Sequence, residues 1–188
     1  TLTLSGTNTY SGNTTISAGL QNFGATNIIE HEWWQASRYK QLEIHSVPVQ
    51  HWSKRSLNDT NKTLWCGWVI KSKNFQYFFV GDTGYSKDFL NIQKKFGSMD
   101  LASIPIGAYE PRWFMKDSHC NVEEAIQIHK DIKSKKSIAM HWGTFQLTDE
   151  PMDEPIQLLG KLTQKLDNPN KFTPIRFWHQ CHRPLVRL

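Results

Sequence analysis

Apolar residues come along this chain in short bursts, each stopped by a glycine, a histidine or a polar cluster. The sharpest runs from Phe75 to Val80 and is rich in aromatic and β-branched side chains, which predicts a buried strand ending at Gly81-Asp82. Leu64 to Ile70 predicts another strand, with polar Lys71 to Asn74 as a hairpin turn between the two. Upstream, Thr26 to Ile29 reads as a short strand, and Gln41 to Val49 as one that Pro48 ends or marks as an edge. Downstream, Leu101 to Ile106, Ser137 to Met140 and Phe172 to Trp178 read as strands. Helical spacing appears in Phe89, Leu90, Ile92 and Phe96, closed by Gly97. It recurs in Val122, Ala125, Ile126 and His129, opened by Asn121 with Glu124 three residues on, the order of a capping box. A further helix is expected from Pro155 to about Leu166, while Gly107 to Ser118 is aromatic and irregular. Strands interleaved with helices, with at least one hairpin, predict an α/β layered architecture.

Composition narrows this picture. A chain of 188 residues holds one domain with a real core, and eight Trp and ten Phe add large buried areas to a modest 38% apolar content. No apolar run approaches a membrane span and no charged-then-apolar signal peptide opens the chain, so a cytoplasmic or peripheral membrane protein is expected. The formal charge of +5 is mild and forms no basic stripe, which argues against a nucleic-acid partner. Cys66, Cys120 and Cys181 lack metal-type or framework spacing, against a disulfide scaffold.

Residues 1–18 differ in kind. They carry no charged side chain and are dominated by Thr, Ser, Gly and Asn. Their texture is similar to one rung of a parallel β-helix, as in the short repeats of bacterial autotransporter passenger regions, but suits better a flexible or loosely paired N-terminal strand. The expected division is therefore an orphan segment over 1–19 and a globular part over 20–188.

Candidate chemistry sits at strand ends. His51, Asp82 and His141 each follow a predicted strand, and strand ends of one sheet converge on one edge. A carboxylate leaving a buried strand is costly to desolvate without a positive partner. Imidazole with carboxylate oxygen is also the donor set of hydrolytic zinc sites.

A resemblance rests on motifs that occur in order: Val49-Gln50-His51-Trp52-Ser53, Gly81-Asp82-Thr83-Gly84-Tyr85, Ile104 through Met115 with Tyr109-Glu110-Pro111-Arg112-Trp113-Phe114, and His141-Trp142-Gly143-Thr144-Phe145. From about Leu20 to Leu159 the chain resembles the C-terminal half of the N-acylphosphatidylethanolamine-hydrolysing phospholipase D family, within the metallo-β-lactamase superfamily. That resemblance implies an αββα sandwich of two facing sheets and a phosphodiesterase using two zinc ions. It implies His51 as a ligand of one zinc, Asp82 as the bridge and His141 as a ligand of the other. It places His119 near the substrate phosphate and Tyr109 and Arg112 in the site wall, against a phospholipid or other phosphodiester substrate at a membrane surface. His129 reads as a core histidine. His31, His45, His179 and His182 receive no role.

One departure matters. The superfamily's His-x-His-x-Asp-His motif is absent, since no two of His31, His45 and His51 lie two apart. The sandwich is therefore expected to be incomplete, lacking the ligand-bearing N-terminal half. Zinc binding is expected to be weak or partial, and self-association to follow from an apolar sheet face left uncovered. The alternative to an impaired enzyme is a non-catalytic, truncated or chimeric remnant with a binding or structural role.

Overall fold

The computed structural model describes residues 2–5, 28–54, 56–164 and 171–174. Strand β1 (Leu2–Ser5) pairs in parallel with β2 (Ile28–His31) as a separate two-stranded sheet. The second alternating stretch expected in the N-terminal segment, Thr14 to Ser17, lies outside the described residues.

The main sheet has seven strands in sequence order: β3 (Ala36–Tyr39), β4 (Leu42–Val47), β5 (Gly67–Lys71), β6 (Gln76–Phe79), β7 (Leu101–Pro105), β8 (Ser137–Met140) and β9 (Phe172–Pro174). From β3 to β6 neighbours are antiparallel, and from β6 to β9 they are parallel. Antiparallel strands need only short turns, whereas parallel ones need a crossover. Helix α1 (Asp88–Phe96) makes the first crossover, α2 (Arg112–Met115) and α3 (Val122–Asp131) the second, and α4 (Glu154–Thr163) the third. One consequence positions the site. Strand β4 is antiparallel to β5, and β5 to β6, so β4 runs the same way as β6, β7 and β8. The C-terminal ends of all four lie along one edge.

Strand alternation separates two faces. The register aligns His45, Val69, Phe78, Ala102, Ser137 and Phe172 in one row across six strands. Helices cover this row: Phe78 meets Phe89 of α1 with ring centres 6.4 Å apart, and His45 meets Phe96 at 5.0 Å. From α3, His129 stacks on Phe172 and bonds Ser137 Oγ through Nδ1 at 2.8 Å, so it is a core histidine as expected. Each large apolar side chain buried here stabilises the fold by about 1.5–3 kcal/mol. The neighbouring rows, with Ile70, Tyr77 and Phe79, face the other way and are half-buried, Phe79 remaining 40% exposed.

Helix α3 begins as the sequence predicts, with Asn121 Oδ1 accepting the Glu124 N–H and Glu124 Oε2 accepting the Asn121 N–H. Two elements differ from expectation. Strand β3 is an outer strand whose mostly exposed side chains give no buried alternation. Helix α2 lies inside the stretch read as irregular, and none of its residues is buried, so no helical stripe marks it. Among the described residues, no helix is long and apolar enough to cross a membrane.

Candidate functional site

The loops after β4 and β6 are tied to each other before any functional side chain is placed. Gln50 and Gly84 form an isolated bridge: the Gly84 N–H donates to the Gln50 carbonyl at 2.7 Å, and the Gln50 N–H donates to Thr83 Oγ1 at 3.0 Å. Thr83 is fully buried, and its carbonyl accepts the Cys120 N–H at 2.7 Å. The Gln50 side chain donates to the Asp117 carbonyl at 3.0 Å. Gly84 must be glycine, because a Cβ there would stand 2.6 Å from the Lys116 carbonyl oxygen. His51, Asp82 and His119 are thus each adjacent to a backbone knot joining three loops.

Strand β8 supplies the last member. It ends at His141, whose φ of 58° lies in the left-handed region that a bulky residue adopts only when its surroundings impose it. The neighbouring loop after β7 crosses closely at Gly107, and Ile106 N–H donates to the Met140 carbonyl at 3.0 Å.

The three imidazoles are joined by two successive ring contacts, with His119 shared between them. The His51 and His119 ring centres are 5.2 Å apart and nearly perpendicular, and those of His119 and His141 are 5.4 Å apart. Asp82 Oδ1 stands 3.6 Å from His141 Nε2, with the carboxylate 45% exposed. Asp82 therefore meets a histidine at a partly open edge. Burial, reinforced by the two neighbouring imidazoles, pushes the His119 pKa down to about 4, so His119 is neutral at ordinary pH. His51 Nδ1 lies 2.9 Å from the Trp52 carbonyl, which fixes its ring while Nε2 stays buried without a partner among the described residues. His119 Nδ1 and His141 Nδ1 are buried and unpartnered in the same way.

Arg112 and Tyr109 stand behind these rings. Arg112 Nη1 donates to the His119 carbonyl at 2.8 Å, and Nη2 reaches both Glu124 oxygens at 3.0 and 2.8 Å. Arg112 therefore holds the His119 backbone and is neutralised by Glu124. Tyr109 is buried and donates its hydroxyl to Glu154 of α4 at 2.7 Å, which directs it to packing rather than toward the imidazoles.

Sequence reasoning missed Glu150. Its Oε1 accepts the N–H groups of Ala108 (2.6 Å) and Tyr109 (3.3 Å), and Oε2 that of Glu110 (3.0 Å). Burial pushes its carboxyl pKa up, but bonds from Thr148 and from the Glu110 and Ala108 amides outweigh that and hold it below the usual range. The carboxylate thereby fixes the loop after β7, where Ala108 has a φ of 63°. The sequence signal, Asp149-Glu150-Pro151, marks a turn and nothing more. Beside His141 opens a cleft of about 250 Å³, whose lining includes Trp142, Phe145, Leu147, Met152 and Pro155 together with Thr144, Gln146 and Glu150.

Imidazoles with a carboxylate are suited to zinc and similar ions, and three unpartnered buried ring nitrogens add to the match in donor chemistry. The number falls short. Among the described residues, no three His, Cys, Asp or Glu side chains are arranged to hold one ion, where a hydrolytic zinc takes three protein ligands.

An α/β sheet whose co-directional strand ends gather imidazoles and a carboxylate has the layout of a hydrolase site. The chain belongs to the metallo-β-lactamase superfamily: the family model described as beta-lactamase superfamily domain matches residues 7–142. It is 41% identical over 150 residues to the N-acyl-phosphatidylethanolamine-hydrolyzing phospholipase D 1 of Caenorhabditis elegans, covering 77% of this chain and 42% of that protein. It is 40% identical over 148 residues to the mitochondrial N-acyl-phosphatidylethanolamine-hydrolyzing phospholipase D of Saccharomyces cerevisiae, covering 75% of this chain and 32% of that one. The chain thus spans less than half the length of either relative. Among solved structures, the metallo-β-lactamase fold protein YhfI of Bacillus subtilis superposes with a TM-score of 0.63 at 15% identity, covering 94% of this chain and 62% of YhfI. That likeness shows the shared fold.

Proposed function

We propose that the His51–His119–His141 edge belongs to a zinc-dependent phosphodiesterase site of the phospholipase D type, acting on N-acylphosphatidylethanolamine or a related diester. The observation that carries this reading is the convergence of three imidazoles and Asp82 at the ends of β4, β6 and β8 and the loop before α3. His51, Asp82 and His141 are its metal donors. His119, between the two outer rings and held from behind by Arg112, is the group that meets a phosphate oxygen. The apolar cleft beside His141 suits the acyl part of a lipid, and exposed Trp113 and Phe114 on α2 suit a membrane surface. The activity for which the two relatives are named points the same way.

Among the described residues the donors fall short of three per ion, so this reading expects low activity of the chain. A second, non-catalytic reading rests on the absence of a His-x-His-x-Asp-His motif from the sequence. Release of phosphatidic acid from vesicles containing N-acylphosphatidylethanolamine, with and without added zinc, separates the two. The enzyme reading expects weak, zinc-dependent release that His141→Ala abolishes and His119→Gln reduces. No zinc-dependent release, or release unchanged by both substitutions, favours the non-catalytic reading.

A further inference from the structure

The end of the sheet away from the imidazoles carries a second concentration of charge. Because β3, β4, β5 and β6 are successive antiparallel neighbours, the β3–β4 and β5–β6 turns sit side by side. The register aligns Arg38 with Glu43 and Glu43 with Lys71. A cleft of about 420 Å³ opens there, and its charged lining is Arg38, Lys40, Lys71 and Lys73 against the single carboxylate of Glu43. Glu43 is already committed, to Arg38 Nη2 at 2.6 Å and to His45 Nε2 at 3.5 Å. Lys40, Lys71 and Lys73 form no ion pair among the described residues. Lys71 Nζ instead lies over the Phe96 ring at 5.9 Å, and Lys95 stands beside the same ring and that of Trp34.

The lysines are therefore drawn together by the two turns and leave a surplus of positive charge. Four cations against one carboxylate raise the local potential for anions well above that of a mixed surface. One Arg38 nitrogen is held by Glu43, so recognition falls chiefly to lysine ammonium groups, point charges that suit phosphate oxygens without demanding one planar geometry. Strand β4 alone, six residues at about 3.3 Å per residue, puts about 20 Å between this cleft and the His51 edge. A ligand here is distinct from one undergoing hydrolysis at the imidazoles.

We infer that the cleft between the β3–β4 and β5–β6 turns binds a multiply charged phosphate anion through Lys40, Lys71 and Lys73. The shared chemistry is the phosphate group, carried by a soluble molecule or by an acidic lipid headgroup. Calorimetric titration of the full chain with inorganic pyrophosphate tests the first source. Co-sedimentation with phosphatidylcholine vesicles, with and without added phosphatidic acid, tests the second. The variant Lys40→Gln/Lys73→Gln changes two exposed side chains that pair with no carboxylate, so it keeps the fold, checked by its melting temperature. Lys130→Gln/Lys133→Gln removes the same charge elsewhere.

Binding in either arm, weakened about tenfold or more by Lys40→Gln/Lys73→Gln, little changed by the control pair, and declining with salt, supports the site. The arm that responds names the source. No binding in either arm overturns the inference, as does an equal loss in both variant pairs, which would reduce the effect to diffuse surface charge.

Discussion

The Cα of Gly107 lies so close to the His141 carbonyl that a Cβ built on Gly107 would fall inside contact distance of that oxygen. The obstacle is backbone, not the end of a flexible side chain, so it cannot swing aside. The loops after β7 and β8 therefore touch through glycine, and that contact helps keep His141 at its positive φ.

Gly107→Ala is expected to separate these loops. The variant should lose about 1–3 kcal/mol of stability, the usual cost of forcing atoms into a packed site. Urea unfolding monitored by tryptophan fluorescence measures it. A variant as stable as the parent would show that the crossing is not tight.

Glu150→Gln is expected to loosen the same region from the other side. The amide offers one oxygen in place of two and turns an NH2 toward backbone donors. A loss of about 1–3 kcal/mol follows for buried donors left unsatisfied. The midpoint shift in urea should be seen at neutral pH and shrink in acid, where the parent's own Glu150 becomes protonated. The sign follows from its lowered pKa: the stabilisation is present above the ordinary carboxylate range and is lost as pH falls through the folded value.

Acid should also act through the histidines. Burial is the leading cause that holds His31, His45 and His129 below their ordinary pKa, so folding favours their neutral forms. Stability is then fully present above the unfolded value of about 6.5 and declines as pH drops from there toward the folded values. Melting temperatures between neutral and mildly acidic pH check this. His129→Gln should flatten part of the slope, because it removes a titrating ring from contact with Ser137 and Phe172.

Zinc should bind weakly. After loading and dialysis against metal-free buffer, elemental analysis is expected to find well under one equivalent per chain. Two tightly held equivalents would contradict the shortage of donors among the described residues.

Much of this arrangement was legible in the sequence because it depends on strong local signals. The Phe75 to Val80 burst fixed β6 and the place of Asp82, and Asn121 with Glu124 fixed the start of α3. The convergence of His51 and His141 was legible because strands of the same direction end at the same edge. Helix α2 was not, since four residues with no buried face carry no periodicity. Strand β3 was not, because an outer strand built from Ala36, Ser37, Arg38 and Tyr39 is held by backbone pairing more than by burial. Glu150 was invisible for a third reason. Its partners are backbone amides 40 to 42 residues away, and amides are the same whatever the sequence.

Glu124 closes the account of how the site is held. One carboxylate satisfies the Asn121 amide at the head of α3 and also receives Arg112, whose other nitrogen holds the His119 carbonyl. Fraying of the first helical turn therefore frees Arg112 and loosens its hold on the His119 carbonyl. In amide exchange, the head of α3 and the His119 segment would behave as one cooperative unit, protected and exposed together. The His119 ring thus leans on that first turn as well as on the knot of Gln50, Thr83 and Cys120.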